Sequence, residues 1–200
     1  MDGFLRIVLP VYLLAIFLLA IVWRSYLVWK RTGLNPVVVG KPGSTLEYVE
    51  RVYPIPGVLL GVVAAVFAVF PGFYHFTAPL FWLEHFFVKI VGLSLLFASL
   101  IWIVLAQTQM GASWRIGIDS ANRTELVNQG LFKVSRNPIF LGMRVALAGF
   151  FLVLPNAFTL VALVLGNVLL QIQVRLEEQH LVGLHGADYD DYKKEVRRWI

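Results

Sequence analysis

IFLGMRVALAGFFLVL-PN-AFTLVALVLGNVLLQI, residues 139–172, reads as two apolar runs parted only by Pro155-Asn156. Pro and Asn are turn residues, so the runs form the two arms of a tight helical hairpin. At 1.5 Å per residue each arm reaches roughly 24 Å, short of a bilayer core of about 30 Å. The hairpin is expected to span a thinned region or to lie buried among other helices. Three apolar runs precede it, at 7–23, 55–70 and 86–106, and Pro56 sits in the first turn of the second, where a missing N–H costs little. The first run is read as a retained helix. Trp23-Arg24-Ser25-Tyr26 follows it in place of a small-residue cleavage site.

The composition agrees. Of 200 residues, 58% are hydrophobic and 14% charged, with a mean hydropathy of +0.74. A soluble fold of this size cannot hide so much apolar surface. The absence of cysteine excludes disulfides, thiolate metal sites and a cysteine nucleophile. The net charge of +5 is topological. All but three of the 17 Lys and Arg residues (Arg6, Lys89 and Arg144) fall in 24–51, 110–137 or the tail after 173, while 71–85 has none. The positive-inside rule then places those three segments in the cytoplasm and the N-terminus outside. No nucleic acid is expected as a partner. The expectation is an all-α integral membrane protein with five transmembrane helices, the last two a hairpin, plus a cytoplasmic C-terminal amphipathic helix. It forms one domain over 1–200, with a three-helix part at 1–106. A polar stretch at 44–51 suggests a short interfacial helix.

Polar residues of the C-terminal half gather in three blocks. Gly111-Ala112-Ser113-Trp114-Arg115 reads as an interfacial anchor. In Ser135-Arg136-Asn137-Pro138-Ile139-Phe140-Leu141-Gly142, Pro138 opens a helix and Asn137 suits its N-cap. The exposed N–H groups there favour an anionic ligand group, and Arg136 can grip a carboxylate. Gly142 permits close approach of another backbone or a ligand. Arg144 lies deeper, and it either snorkels to the interface or faces a partner or cavity. The third block holds Glu177-Glu178 at the end of the last span. It continues with Tyr189, Tyr192, Val196 and Trp199, which recur as one helical stripe suited to a membrane surface.

Together the blocks resemble the isoprenylcysteine carboxyl methyltransferase and phospholipid methyltransferase superfamily of membrane enzymes. Its Arg-His-Pro-x-Tyr-x-Gly motif reads here Arg136-Asn137-Pro138-Ile139-Phe140-Leu141-Gly142. Its Glu-Glu pair is Glu177-Glu178. Its Gly-x-x-Tyr-x-x-Tyr tail and basic-Trp end are Gly186 to Tyr192 and Arg197-Arg198-Trp199. The likeness covers 107–200, and the chain length is similar to the short prokaryotic members, which points to a bacterial or archaeal membrane. Asn137 replaces the usual His and cannot titrate near neutral pH. Phe140 replaces a frequent Tyr, and Gln173 stands where some members carry Arg.

The resemblance implies S-adenosylmethionine as methyl donor, bound at the cytoplasmic end of the hairpin under the C-terminal segment. Arg136, Asn137, Pro138, Phe140, Gly142, Glu178, Tyr189, Tyr192 and Trp199 would bind it, and Arg144, Glu177 and Glu178 would serve catalysis. Glu177 or Glu178 would take the proton from an amine acceptor, whereas a carboxylate or thiolate acceptor needs no such base. The lipophilic acceptor would come sideways from the bilayer, between the hairpin and the third span. No metal is implied, and His75, His85, His180 and His185 form no site with acidic partners. Two other readings stay open: a non-catalytic scaffold or sensor with a degenerate site, and a nicotinamide-dependent membrane reductase sharing the hairpin. The oligomeric state is not legible.

Overall fold

The computed structural model describes residues 1–38, 40, 43–119, 122 and 124–200, without the side chain of Thr45. Lys41 and Arg123, two of the basic residues read for topology, lie outside the described residues. The chain is helical throughout its apolar runs. Among the described residues four helical stretches, Asp2–Thr32, Leu46–Val69, Phe86–Ser113 and Ala157–His185, are long and apolar enough to cross a membrane, and Pro138–Val153 is a shorter apolar helix. The protein is thus an all-α integral membrane protein.

The first rod is longer than the apolar run that announces it. Helix α1 (Asp2–Ile16) and helix α2 (Arg24–Thr32) are joined by a π-helical stretch, Phe17–Trp23. Within that stretch the carbonyl of Ala20 accepts a hydrogen bond of 3.0 Å from Gln107 Nε2. A side chain inserted into the backbone ladder is a recognised cause of such widening. Gln107 belongs to helix α5 (Phe86–Met110). Three further contacts join the same two rods: the Lys89–Asp2 ion pair at 3.0 Å, the Tyr12–Ser99 hydroxyl pair at 3.0 Å, and Arg24 donating to the Gly111 carbonyl. Each of the four links residues 87 apart. A constant offset means that the rods run parallel and in fixed register.

Helix α3 (Thr45–Val52) begins at Ser44, whose hydroxyl accepts from the Glu47 N–H at 3.1 Å. This is the short helix expected at 44–51. It leads through Tyr53 and Pro54 into α4 (Ile55–Val69), with Pro56 in its first turn. Helix α6 (Pro138–Val153) and helix α7 (Ala157–His185) form the hairpin. Asn156 closes the turn with a capping box, accepting from the Thr159 N–H at 3.0 Å while its own N–H donates to Thr159 Oγ1 at 3.2 Å. Only the first arm is short. The second runs on to His185, so Glu177 and Glu178 lie inside α7 and do not end it. The helix continues because nothing from Gln173 to His185 breaks it. It stops at Gly186, whose φ of +57° suits glycine alone.

One core fills the half of the bundle away from Pro138. Leu5 and Leu9 of α1, Val63 and Phe67 of α4, Leu96 of α5, and Phe150 and Val153 of α6 meet there. Helices α5 and α6 pack closest. A Cβ on Gly92 would lie 2.8 Å from the Gly149 carbonyl oxygen, and one on Gly149 would lie 2.9 Å from that of Gly92. Small residues let backbones touch, which is how membrane helices associate where no hydrophobic drive separates helix from lipid. Gly142 belongs to the same seam, where an added Cβ would meet Ile103 Cγ1 at 2.6 Å.

Candidate active site

At the opposite end of the bundle the chain folds back on itself. After α7, Gly186 turns the chain into α8 (Ala187–Glu195), and residues 196–200 return as an extended strap across the start of α6. The stripe read through Tyr189, Tyr192, Val196 and Trp199 is therefore not one helix. The helix ends at Glu195, because Val196 takes an extended conformation. Nor does its apolar side face lipid. Tyr189 and Tyr192 are buried against Leu126, Leu181 and Val182, and the Tyr192 hydroxyl donates to the Phe132 carbonyl at 2.6 Å. Burial pushes the Tyr192 hydroxyl up to about 12. It pushes Tyr189 up as well, aided by the Glu178 charge.

The strap is bound by the residues that open α6. The Arg136 N–H donates to the Arg197 carbonyl at 3.0 Å, and Ser135 Oγ donates to the Arg198 carbonyl at 3.1 Å. The Arg136 guanidinium donates to the carbonyls of Val196 at 2.5 Å and Lys193 at 3.2 Å. Asn137 occupies the N-cap position of α6, but its side chain does not cap. Its amide instead donates to Glu178 Oε1 at 3.1 Å and to the Arg198 carbonyl at 3.3 Å.

Glu178 is the centre of this arrangement. Its Oε1 accepts from Arg136 at 3.1 and 3.3 Å as well as from Asn137. Its Oε2 accepts both nitrogens of an Arg198 fork at 2.7 and 3.0 Å. The hydrogen bonds to Glu178 raise the pKa of the Arg198 guanidinium further. Burying a carboxylate is tolerable only when it is paired and hydrogen-bonded like this. Arg198 was legible in the sequence only as part of a basic run, and Ser135 carried no signal.

Arg144 lies one and a half turns into α6, with its guanidinium 4.5 Å over the ring of Trp199. A cation over an indole face is attracted by the ring quadrupole, so Arg144 holds down the end of the strap. Pro138 is buried, and its carbonyl accepts from Trp102 Nε1 at 2.8 Å. Phe140 is half-buried on α6. Trp114, read as an interfacial anchor, is buried instead, 5.9 Å from the Arg24 guanidinium.

Glu177 faces elsewhere. Adjacent residues on a helix point about 100° apart. Among the described residues nothing hydrogen-bonds its carboxylate, and its charge bears on Tyr53, which joins α3 to α4. The Tyr53 hydroxyl donates to Met143 Sδ of α6 at 3.6 Å. One turn before Glu177, Gln173 is buried, and its Oε1 has no hydrogen-bond partner. The site thus has two sides: a closed ion-pair cluster around Glu178, and a second side with Glu177 and Gln173, whose Oε1 has no hydrogen-bond partner among the described residues.

The described residues contain no group of His, Asp and Glu able to hold a metal ion. A polar cleft of about 490 Å³ lies against Tyr192 and Val196, lined also by Asn128, Gln129, Lys133 and Glu195. In comparisons with known proteins, a family model described as phospholipid methyltransferase matches residues 87–188, just over half of the chain. No curated protein matches it.

Proposed function

The chain belongs to the phospholipid methyltransferase family, and from that premise we propose that it transfers a methyl group from S-adenosylmethionine to the amine of a membrane lipid, with the site facing the cytoplasm. The observation that carries this reading is Glu177. A carboxylate beside the strap cluster, with no hydrogen bond of its own, would repel a carboxylate acceptor and attract an ammonium.

The residues present fit the cofactor. Five N–H donors from Arg136, Asn137 and Arg198 converge on one carboxylate. That donor set can receive the carboxylate of an amino acid, while Glu178 can receive its ammonium. A zwitterion joins an ion-pair cluster without leaving either sign unpaired. When bound, S-adenosylmethionine supplies an electrophilic methyl on a sulfonium. Arg144 keeps Trp199 and the strap in place over the site, which excludes water. Glu177 accepts the proton that an ammonium must lose before its nitrogen lone pair can attack. The displacement itself needs alignment and little else. The basic segments 24–51 and 110–137 and the tail support a cytoplasmic site by the positive-inside rule.

The test is thermal unfolding of the detergent-purified protein with S-adenosylmethionine or S-adenosylhomocysteine. Saturation at 100 times the dissociation constant should stabilise by about 2.7 kcal/mol, a shift of several degrees. Arg136→Ala should lose the shift. Glu177→Gln should keep it and lose methyl transfer to phosphatidylethanolamine. A flat response of the unaltered protein to both ligands would overturn the reading.

A further inference from the structure

The N-terminal rod carries a second concave surface, which the methyltransferase reading does not use. Helix α2 ends at Gly33, whose φ of +70° turns the chain back. The returning segment is fixed through its backbone. The Pro36 carbonyl accepts from the Ile116 N–H at 2.8 Å, and the Val38 N–H donates to the Ile116 carbonyl at 2.9 Å. Asn35 Oδ1 accepts from the Val37 N–H at 3.0 Å, an Asx turn that stiffens the bend. With Ile116 holding this segment, a cleft of about 540 Å³ stays open between it and the helix. Ser25, Tyr26 and Trp29 form the helical wall, and Asn35, Pro36 and Val37 form the other. Small-molecule sites occupy roughly 300–1,000 Å³, so the cleft is large enough for a ligand. The room reaches the bend itself, since a Cβ on Gly33 would meet nothing within 4 Å.

The chemistry along the rod changes in a fixed order. Leu18, Leu19 and Val22 are exposed and apolar. Trp23, Tyr26 and Trp29 follow in a row, with ring centroids 5.7 and 6.4 Å apart, and all three are exposed. Indole and phenol rings in such a row mark the level where hydrocarbon meets headgroups. Lys30 and Arg31 then fill the last turn of α2. Lys30 Nζ lies 5.9 Å from the centre of the Tyr26 ring, which lines the cleft, so a cation stands at the cleft's edge. Among the described residues no Asp or Glu lines it. The Ser25 hydroxyl in its wall is buried without a hydrogen-bond partner among the described residues, a cost that a polar ligand can recover. Apolar stretch, aromatic row, then a cleft with a hydroxyl, an amide and a cation at its rim match one kind of molecule from end to end. It has acyl chains and an oxygen-rich, anionic headgroup.

We propose that this cleft binds an anionic phospholipid, with the phosphate and headgroup hydroxyls between α2 and residues 33–37 and the chains along Leu18, Leu19 and Val22. The lipid is held there and not transformed. The cleft lies outside the matched family region and shares no residue with the Glu178 cluster. It nevertheless belongs to the same end of the bundle as the strap. Arg24, next to Ser25, donates to the Gly111 carbonyl at the end of α5. Gln109, two residues before Gly111, accepts from the Leu131 N–H at 2.7 Å, five residues ahead of Arg136. A lipid in the cleft therefore stands in the leaflet that the strap faces.

The experiment uses the full chain in a mild detergent, with thermal unfolding followed against short-chain phosphatidylglycerol, short-chain phosphatidylcholine and glycerol phosphate. The first should give a saturable rise in unfolding temperature, and the other two should give none. Lys30→Gln should weaken the apparent affinity for phosphatidylglycerol about fivefold, the worth of one cation beside an anionic lipid. Val37→Trp, which fills the cleft from its exposed wall, should abolish the rise. Lys194→Gln, which removes an exposed cation on α8, should leave it unchanged. Each variant should unfold like the unaltered protein when no lipid is added, which separates lost binding from lost folding. If Val37→Trp folds poorly, Lys30→Gln decides. An equal rise with phosphatidylcholine or with glycerol phosphate alone would overturn the proposal, as would full affinity in Lys30→Gln. Equal weakening in Lys30→Gln and Lys194→Gln would also overturn it, because the effect would then be one of general surface charge.

Discussion

Glu178 shows how a charged residue is kept within a membrane protein. Its two oxygens are shared between Arg136, Asn137 and Arg198, so no partner faces bulk lipid unpaired. Replacing it by glutamine leaves two guanidinium groups around a neutral amide. Removing one partner of a buried pair costs roughly 3–5 kcal/mol, but the Arg198 side chain is 36% exposed and recovers part of that from water. Glu178→Gln is therefore expected to lower stability by about 3 kcal/mol, read as a fall of several degrees in unfolding temperature. The Arg136-Asn137-Pro138 and Glu177-Glu178 strings were legible because each is local. Which glutamate meets the cluster was not. The two side chains differ only by a rotation about α7, and the choice is made by Arg198, which arrives from the strap. Asn137 shows the same limit: its position marks the start of α6, but its amide is drawn to Glu178 and away from capping.

At the scale of elements, the α5–α6 seam depends on glycine at two facing positions. Gly149→Ala should place a methyl 2.9 Å from the Gly92 carbonyl and 3.1 Å from Leu95 Cβ. Backbone sits on one side of that contact, so relief requires the helices to part, at about 1–3 kcal/mol. Gly61→Ala in α4 meets nothing within 4 Å and should raise the unfolding temperature by a degree or two, because alanine loses less backbone entropy in a helix than glycine. Measuring the two variants side by side separates helix–helix packing from the general effect of removing a glycine. Helix existence was legible from apolar runs, while helix length was not. The apolar run ends at Ile172, but α7 extends to His185 because its polar residues are good helix formers and the stop waits for Gly186. In the same way, regular spacing of Tyr189, Tyr192, Val196 and Trp199 suggested one helix, yet hydrogen bonds from Arg136 hold Val196 extended.

Across the whole molecule, the constant offset between α1 and α5 fixes the N-terminal rod to the hairpin's neighbour over its full length. The core fills one half of the bundle and the site the other, so the ion-pair cluster is not required to hold the far helices together. The rods of the bundle are nevertheless unequal. Helix α6 has 16 residues, which is about 24 Å of helix, whereas α7 has 29 and the stretch Leu46–Val69, through α3 and α4, has 24. The short helix is the one whose start the C-terminal strap crosses. A thick bilayer must therefore thin locally or strain around α6, at a cost of fractions of a kcal/mol per Å of hydrophobic mismatch. Turnover in nanodiscs is expected to be highest with acyl chains of about 14–16 carbons and to fall severalfold at about 22. Equal rates at both thicknesses would show that the short helix does not sense the bilayer. The expected fall would make membrane thickness itself a modulator of the enzyme, acting through the length of one helix and no dedicated regulatory site.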